Sequence, residues 1–146
     1  MAVDQLDSTL VVLDYLETAG PLHNENSSFT VPDLAPNIYA IEGANNYDPR
    51  ATGGIVFYSV GGNTMLDVPV RVETFQFNCY GGSLDTEKSW QLARALNDRL
   101  HGIQLVAVGS NMIMLAYEVL SAQPLPLGEG EAPGVFVRYE THIRAN

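Results

Sequence analysis

A cysteine with an imidazole nearby is the simplest catalytic pair that this sequence could build. Cys79 is the single cysteine, and His101 or His142 could serve as the base that forms its thiolate. Cys79 alternates with Phe75 and Phe77, however, and this pattern is typical of a small hydrophobe buried on one face of a strand. We therefore expect Cys79 to lie in the core, and the sequence predicts no catalytic residue.

Other groups that carry chemistry are present without the spacing that the chemistry needs. The histidines His23, His101 and His142 have no cysteine or carboxylate at metal-ligand spacing. Three Gly-Gly pairs occur without the GK[ST] or GxGxxG signature of a phosphate-binding loop. Glu129 and Glu131 fall in a predicted loop, where a catalytic pKa is hard to sustain. We therefore predict no metal ion, no cofactor and no enzymatic activity.

The charge of the chain is strongly negative and unevenly distributed. Seventeen acidic and seven basic side chains give the 146 residues a net charge of −10. Residues 1–49 hold eight of the acids and no lysine or arginine. Because a protein that grips nucleic acid needs surplus basic side chains to neutralise phosphates, the composition argues against that class. The acidic third is either a solvated face or a surface that repels phosphate or meets a basic partner.

The composition fits one domain without a targeting or membrane segment. A chain of 146 residues with 46% hydrophobic residues is long enough to bury a single core. Met1–Leu10 lacks the features of a signal peptide, and the longest apolar run, Met112–Tyr117, is far too short to span a bilayer. With one cysteine no intramolecular disulfide can form, which favours a reducing compartment.

Two segments with helical periodicity must position whatever surface the protein uses. Four leucines predict a helix over residues 4–19 and form its expected buried stripe: Leu6, Leu10, Leu13 and Leu16. Val11 and Tyr15 fall on the opposite side of this helix. A second helix is predicted over residues 84–101, with Trp90 at the border of its apolar stripe and therefore half-buried. Its expected inner residues are Ser89, Leu92, Ala93, Leu96 and Leu100.

The remaining regular segments are predicted strands. They cover residues 54–60, 68–80, 104–108, 112–120 and 135–145. Gly61-Gly62-Asn63 is expected to form the turn between the first two. In the second strand the apolar residues change face after Val72, so either a bulge resets the register near Thr74 or both faces are covered.

The predicted strands 68–80 and 135–145 share a short motif. Val70–Thr74 and Val137–Thr141 both read Val-Arg-x-Glu-Thr, and two such strands could pair antiparallel with opposite charges matched. Two long loops are expected, over residues 22–50 with at most one short strand, and over residues 121–134 as a projecting Pro/Gly-rich loop. The element order predicts a single α+β domain over residues 1–146, with two main helices packed on a mainly antiparallel sheet.

The middle of the chain carries a family resemblance. A Pro-Arg in a loop (Pro49-Arg50) is followed by a hydrophobic strand ending in Gly-Gly (residues 53–62) and by Arg-Val-Glu-Thr-Phe-Gln-Phe-Asn-Cys-Tyr-Gly (residues 71–81). The helix Leu-Asp-Thr-Glu-Lys-Ser-Trp-Gln-Leu-Ala-Arg-Ala-Leu-Asn-Asp-Arg-Leu (residues 84–100) comes next. This succession resembles the tail terminator, or tail completion, proteins of long-tailed bacteriophages. The amino-terminal helix, the late loop and the final strand fit the same order.

The resemblance implies a structural subunit of the virion. Such a subunit forms a ring, usually of six copies, that caps the tail tube and joins it to the neck or connector proteins while DNA passes through without specific binding. It is assembled in the host cytoplasm, carries no catalytic residues and contacts no membrane. We expect subunit contacts at Phe75, Phe77, Trp90, Gln123, Leu125 and Leu127. We expect acidic residues along the lumen at Asp4, Asp7, Asp14, Glu17, Glu25, Asp33, Glu42 and Asp48.

Three alternatives remain open from the sequence. A head-closure or connector ring protein differs from a terminator in the neighbour that it binds. A soluble ligand-binding domain would be monomeric. A cysteine hydrolase would depend on Cys79.

Overall fold

The computed structural model describes residues 8–18, 38–40, 54–64, 70–80, 86–125 and 134–145. These residues form the following elements in chain order: α1 (Ser8–Thr18), β1 (Ile38–Ala40), β2 (Gly54–Thr64), β3 (Val70–Tyr80), α2 (Thr86–Leu100), β4 (Ile103–Val108), β5 (Asn111–Pro124) and β6 (Gly134–Ala145). The predicted helix residues 4–7, the predicted strand residues 68 and 69, and the helix start at 84 and 85 lie outside the described residues.

The six strands form one sheet in the order β1-β2-β3-β6-β5-β4. The short β1 runs parallel to β2, and every other neighbouring pair is antiparallel. Buried residues of both helices join those of the sheet in a single core cluster, so α1 and α2 cover the same face. The predicted α+β class with a mainly antiparallel sheet is therefore confirmed.

The core is centred on aromatic rings from three adjacent strands. Phe57 of β2 stacks on Phe77 of β3 with ring centroids 5.1 Å apart, and Tyr139 of β6 meets Phe77 edge-on at 5.7 Å. Phe75 meets Phe57 edge-on at 5.9 Å. All four side chains have no exposed area, and offset-stacked and edge-to-face contacts are the favoured geometries for aromatic rings.

Strand β3 is regular, and its two faces have different roles. Phe75, Phe77 and Cys79 face the core, whereas Val72 faces away from the helices because side chains alternate along a strand. The irregularity expected near Thr74 lies in the partner strand: the register of β2 shifts between Ser59 and Gly61, opposite Phe75 and Thr74. Residues 61–64 therefore continue β2, and the predicted turn at Gly61-Gly62-Asn63 is wrong.

The motif shared by β3 and β6 does mark two antiparallel neighbours, but the predicted charge matching is wrong. The register places Gln76 opposite Arg138 and Thr141 opposite Glu73. The Arg71 Nε atom instead lies 3.3 Å from Glu73 Oε2 within the same strand. The motif therefore indicated which two strands pair, but it did not predict which of their residues lie opposite each other.

Helix α1 confirms only part of the predicted leucine stripe: Leu16 is buried and Leu13 packs partly buried against the core, but Leu10 does not. The buried residues are Ser8, Val11, Val12, Tyr15 and Leu16, whereas Leu10 is 59% exposed. Tyr15 determines this orientation, because its hydroxyl donates a 2.8 Å hydrogen bond to the carbonyl of Arg99 and the Arg99 guanidinium lies 5.5 Å from its ring centroid. Burial raises the pKa of the Tyr15 phenol. Leu6 lies outside the described residues.

Helix α2 buries the residues that the sequence predicts. The inner side chains are Ser89, Leu92, Ala93, Ala95, Leu96 and Leu100. Trp90 is half-buried at the border, as expected. Glu87 in the first turn and Arg99 in the last turn complement the helix dipole. The helix packs against β3, β5 and β6, and thus covers the aromatic core.

Strand β5 continues into the predicted projecting loop. Gln123 pairs with Phe136 and Pro124 pairs with Val135, and the Leu125 amide donates a 2.9 Å hydrogen bond to the Gly134 carbonyl. The loop prediction over 121–134 is therefore wrong for residues 121–124, and residues 126–133 lie outside the described residues. Of the predicted loop 22–50, only β1 is described.

Truncation of the central aromatic ring tests the core. Phe77→Ala should lower the free energy of unfolding by about 3–5 kcal/mol, because it removes a fully buried ring and leaves a cavity beneath two others. Urea unfolding monitored by circular dichroism measures the change. Leu10→Ala is the control, since its side chain is exposed and the expected change is within about 0.5 kcal/mol. A loss below about 1 kcal/mol for Phe77→Ala would contradict this core.

Candidate functional site

Cys79 is unsuited to be a nucleophile. Its thiol is fully buried, and this burial raises its pKa to about 12. His142 lies on the opposite face of the sheet, and the Nδ1 atom of His101 accepts a 3.0 Å hydrogen bond from the Glu118 amide. The expected core position of Cys79 is confirmed, and neither imidazole is placed to act as its base.

Thiol reactivity provides a direct test of this placement. A maleimide or aromatic disulfide reagent should leave native Cys79 unmodified at pH 7 and modify it stoichiometrically in urea, because the thiolate is the reactive form. Mass spectrometry after timed quenching measures both. Rapid modification of the native chain would contradict the buried position and reopen the hydrolase alternative.

The structure separates the residues expected at the subunit contact. Phe75 and Phe77 have no exposed area, so they offer nothing to a neighbouring subunit; this corrects their predicted role. Trp90 and Leu125 are half-buried and Gln123 is exposed. Leu127 lies outside the described residues. The alternation that suggested an apolar contact therefore reflects the core itself.

The acidic residues predicted to face a lumen lie mostly outside the described residues. Asp14 is exposed on α1, and Glu17 belongs to the same helix. The others are Asp4, Asp7, Glu25, Asp33, Glu42 and Asp48. The described residues hold seven acids and six bases, whereas the rest of the chain holds ten acids and one base. The described part is therefore close to neutral, and almost all of the excess charge belongs to the residues outside it.

A cleft of about 490 Å³ lies between α2 and β5. Its lining combines an indole with both signs of charge: Trp90, Ala93, Arg94, Asn97, Asp98, His101, Glu118 and Ala122. The Asn97 amide donates 2.9 Å hydrogen bonds to Glu118 Oε2 and to the Tyr139 hydroxyl. Ser121 donates to the other Glu118 oxygen at 3.0 Å. The Glu118 carboxylate is thus held in place at the lining of the cleft.

The sheet face that points away from α1 and α2, here called the distal face, is mixed in character. Its residues include Val56, Tyr58, Val72, Gln76, Asn78, Tyr117, Arg138, Glu140 and His142. Gln76 is buried there, and its amide group is satisfied by two hydrogen bonds. It donates to Asn78 at 2.9 Å and accepts from Arg138 Nε at 3.0 Å. These lateral bonds satisfy polar groups within the sheet.

Two side chains of the distal face, Tyr117 and His142, share the carboxylate of Glu140. The Tyr117 hydroxyl donates a hydrogen bond to Glu140 Oε2, and His142 Nε2 lies 3.1 Å from the same oxygen. The bond from Tyr117 and then the bond from His142 lower the pKa of Glu140, and the bond to Glu140 raises the pKa of Tyr117. Strand alternation placed Glu140 and His142 on one face, but the partner Tyr117 depends on the β5 register, which the sequence pattern did not contain.

Four large hydrophobic side chains are exposed among the described residues: Leu10, Val60, Leu105 and Val119. Leu105 is the most exposed of them at 64%, and its backbone φ of 52° is in the left-handed region that non-glycine residues rarely adopt. Val60 is 41% exposed and lies at the register shift of β2. Neither Leu105 nor Val60 belongs to the core cluster.

No protein-family model matches the chain, and no curated protein matches it significantly. In the described part of the chain, no three His, Cys, Asp or Glu side chains are grouped as metal ligands. No described helix is long and apolar enough to cross a membrane.

A Tyr117→Phe substitution should raise the pKa of Glu140 toward its ordinary value of 4.5, because the substitution removes the main hydrogen-bond donor to the carboxylate. Since the folded-state pKa of Glu140 is lowered, its stabilising contribution is present above the ordinary pKa and is lost as the pH falls through the lowered value. Carboxyl-carbon NMR titration measures the shift. Tyr58→Phe, on β2 of the same face, is the control and should leave Glu140 unchanged. An unshifted Glu140 in Tyr117→Phe would refute the hydrogen bond.

Proposed function

We propose that the protein is a ring-forming structural subunit of a bacteriophage virion, of the tail terminator type. In this role several copies close a ring on the end of the tail tube and join it to the neck, and the genome passes through the centre. The protein acts in the tail and neck of the virion after assembly in the host cytoplasm.

The observation that carries the proposal is the succession of β2, β3 and α2. Most of the residues that resemble the tail terminators fall on these elements, which follow one another along the chain. β2 pairs with β3, and α2 packs back onto β3. The resembling segment is therefore one compact structural unit, as expected if the likeness reflects a shared fold.

The surfaces outside the core are those of a protein that binds other proteins. The distal face carries half-buried tyrosines, a histidine and an arginine, and the cleft beside α2 carries an accessible indole. Such aromatic and arginine side chains are enriched at the centres of protein interfaces. A subunit between a tail tube and a neck needs separate surfaces for both neighbours, and these two surfaces supply them in our proposal.

The charge distribution supports a lumen that does not bind the DNA passing through it. The residues outside the described part carry most of the negative charge, and exposed Asp14 adds to it from α1. Duplex DNA carries about one charge per 1.7 Å, so a basic lumen would bind it, whereas an acidic lumen repels it and lets it slide. We propose that the eight acidic residues among residues 1–49 line the lumen.

The oligomeric state and the site of binding test this function. Light scattering of the purified protein should give a mass near six times 15.9 kDa, and negative-stain images should show rings with a central opening. Mixed with purified phage tails and with purified heads, the protein should bind the tail-tube ends. Binding to the head connector alone would favour a head-closure protein. A chain that stays monomeric in solution and binds neither structure would overturn the proposal.

A further inference from the structure

Two segments of this net-acidic chain carry no charged side chain. Residues 51–66 and residues 103–117 contain no Asp, Glu, Lys or Arg, although 24 of the 146 residues are of these types. The first segment includes all of β2, and the second includes β4, its turn and the first half of β5. We call the described residues of the first segment, 54–64, the β2 flank, and the second segment, residues 103–117, the β4 flank.

The two flanks lie at opposite ends of the sheet. In the order β1-β2-β3-β6-β5-β4, β4 is the last strand, and β2 is next to the other edge. The short β1 pairs with only Ile55–Phe57 of β2. Ser59, Val60, Gly61 and Gly62 follow beyond that pairing and are all exposed. Each end of the sheet therefore presents an uncharged, accessible surface, and the two surfaces differ.

Each flank presents one prominent apolar side chain held in an irregular backbone. Leu105 on β4 is 64% exposed at a φ of 52°, and Val60 on β2 is 41% exposed at the register shift. The Val60 irregularity is anchored, because Ser59 donates a 2.8 Å hydrogen bond to the buried carboxylate of Glu73. Gly62 also packs so closely on the β3 backbone that a side chain there would collide with it.

These irregularities decide how another molecule can approach. Regular exposed edges invite unlimited strand addition, and natural sheets interrupt their edges with bulges and kinks. Here the interruptions place apolar side chains outward, which suits packing of side chains better than a continuous ladder of backbone hydrogen bonds. A non-glycine residue in the left-handed region points to a local functional constraint.

We infer that the β4 flank of one copy packs against the β2 flank of the next copy, with Leu105 and Val60 at the centre of the contact. The occupant is a second copy because the two flanks are different uncharged patches at opposite ends of one sheet, and two chains of charge −10 can meet there without bringing like charges together. Two different patches at opposite ends make a head-to-tail contact, which generates a ring when the rotation closes. This inference rests on the proposed function, since it names the contact that joins the ring.

Leu105→Gly separates the contact from folding. Glycine adopts the φ of Leu105 without strain, so the thermal midpoint of the variant should equal or exceed that of the wild type. Assembly should weaken by at least about tenfold in concentration dependence, because the central apolar side chain of the contact is gone. Leu10→Ala is the matched control: its leucine is 59% exposed on α1, outside both flanks, and it should assemble like the wild type.

A pair of introduced cysteines tests which surfaces meet. In Val60→Cys/Leu105→Cys, a short bis-maleimide should produce a ladder of covalent multimers up to the ring number, while buried Cys79 stays unmodified. Each single variant should give no cross-linked dimer, because like residues do not meet in a head-to-tail contact.

The outcomes separate the inference from the function on which it rests. Rings that persist in Leu105→Gly, with no ladder from the double-cysteine variant, would overturn the inference and leave the ring proposal standing. Cross-linked dimers from Leu105→Cys alone would also overturn it, because they indicate a two-fold contact. A wild-type chain that is monomeric, binds no tail and gives no ladder would overturn both.

Discussion

The stacking of Phe57 on Phe77, with Tyr139 against the edge of the stack, is the contact on which the rest of the structure depends. It joins the three central strands on the face that α2 covers. Because these rings fill the space below α2, the buried alternation of each central strand has only one possible register. A shift by one residue would turn the rings toward the distal face. The core thereby determines which side chains remain available to other molecules.

Polar side chains on the other surfaces are held by bonds to one another. Gln76 connects Asn78 and Arg138, Glu140 connects Tyr117 and His142, and Asn97 connects Glu118 with Tyr139. Such connections reduce the rotamer freedom that a binding partner would otherwise have to remove. A surface prepared in this way suits a protein whose task is to hold neighbours in fixed geometry, which is the role that we propose.

Local sequence patterns predicted the helices and strands of this fold better than they predicted the contacts between them. The buried stripe of α2 was predictable because charged and apolar residues separate cleanly around that helix. The predicted buried face of helix α1 was partly wrong because it was based on four leucines at helical spacing. The burial of Tyr15 accompanies a hydrogen bond to Arg99, which is distant in the sequence and appears in no local pattern. The predicted subunit contact was wrong at Phe75 and Phe77 for the same reason. Their apolar spacing fits either a core or an interface, and only the presence of a covering helix shows that they belong to the core.

The bond from Tyr15 to Arg99 spans 84 residues of chain, which has a consequence for synthesis. Helix α1 leaves the ribosome long before the last turn of α2 exists, and at 5–20 residues per second the wait is roughly 4 to 17 seconds. During that time Val11, Val12 and Leu16 have no core to enter. An isolated helix of this length is marginal in water, so the amino-terminal segment is exposed to chaperones and proteases until the second helix is complete. The contact between Tyr15 and Arg99 therefore forms only after the last turn of α2 has been made.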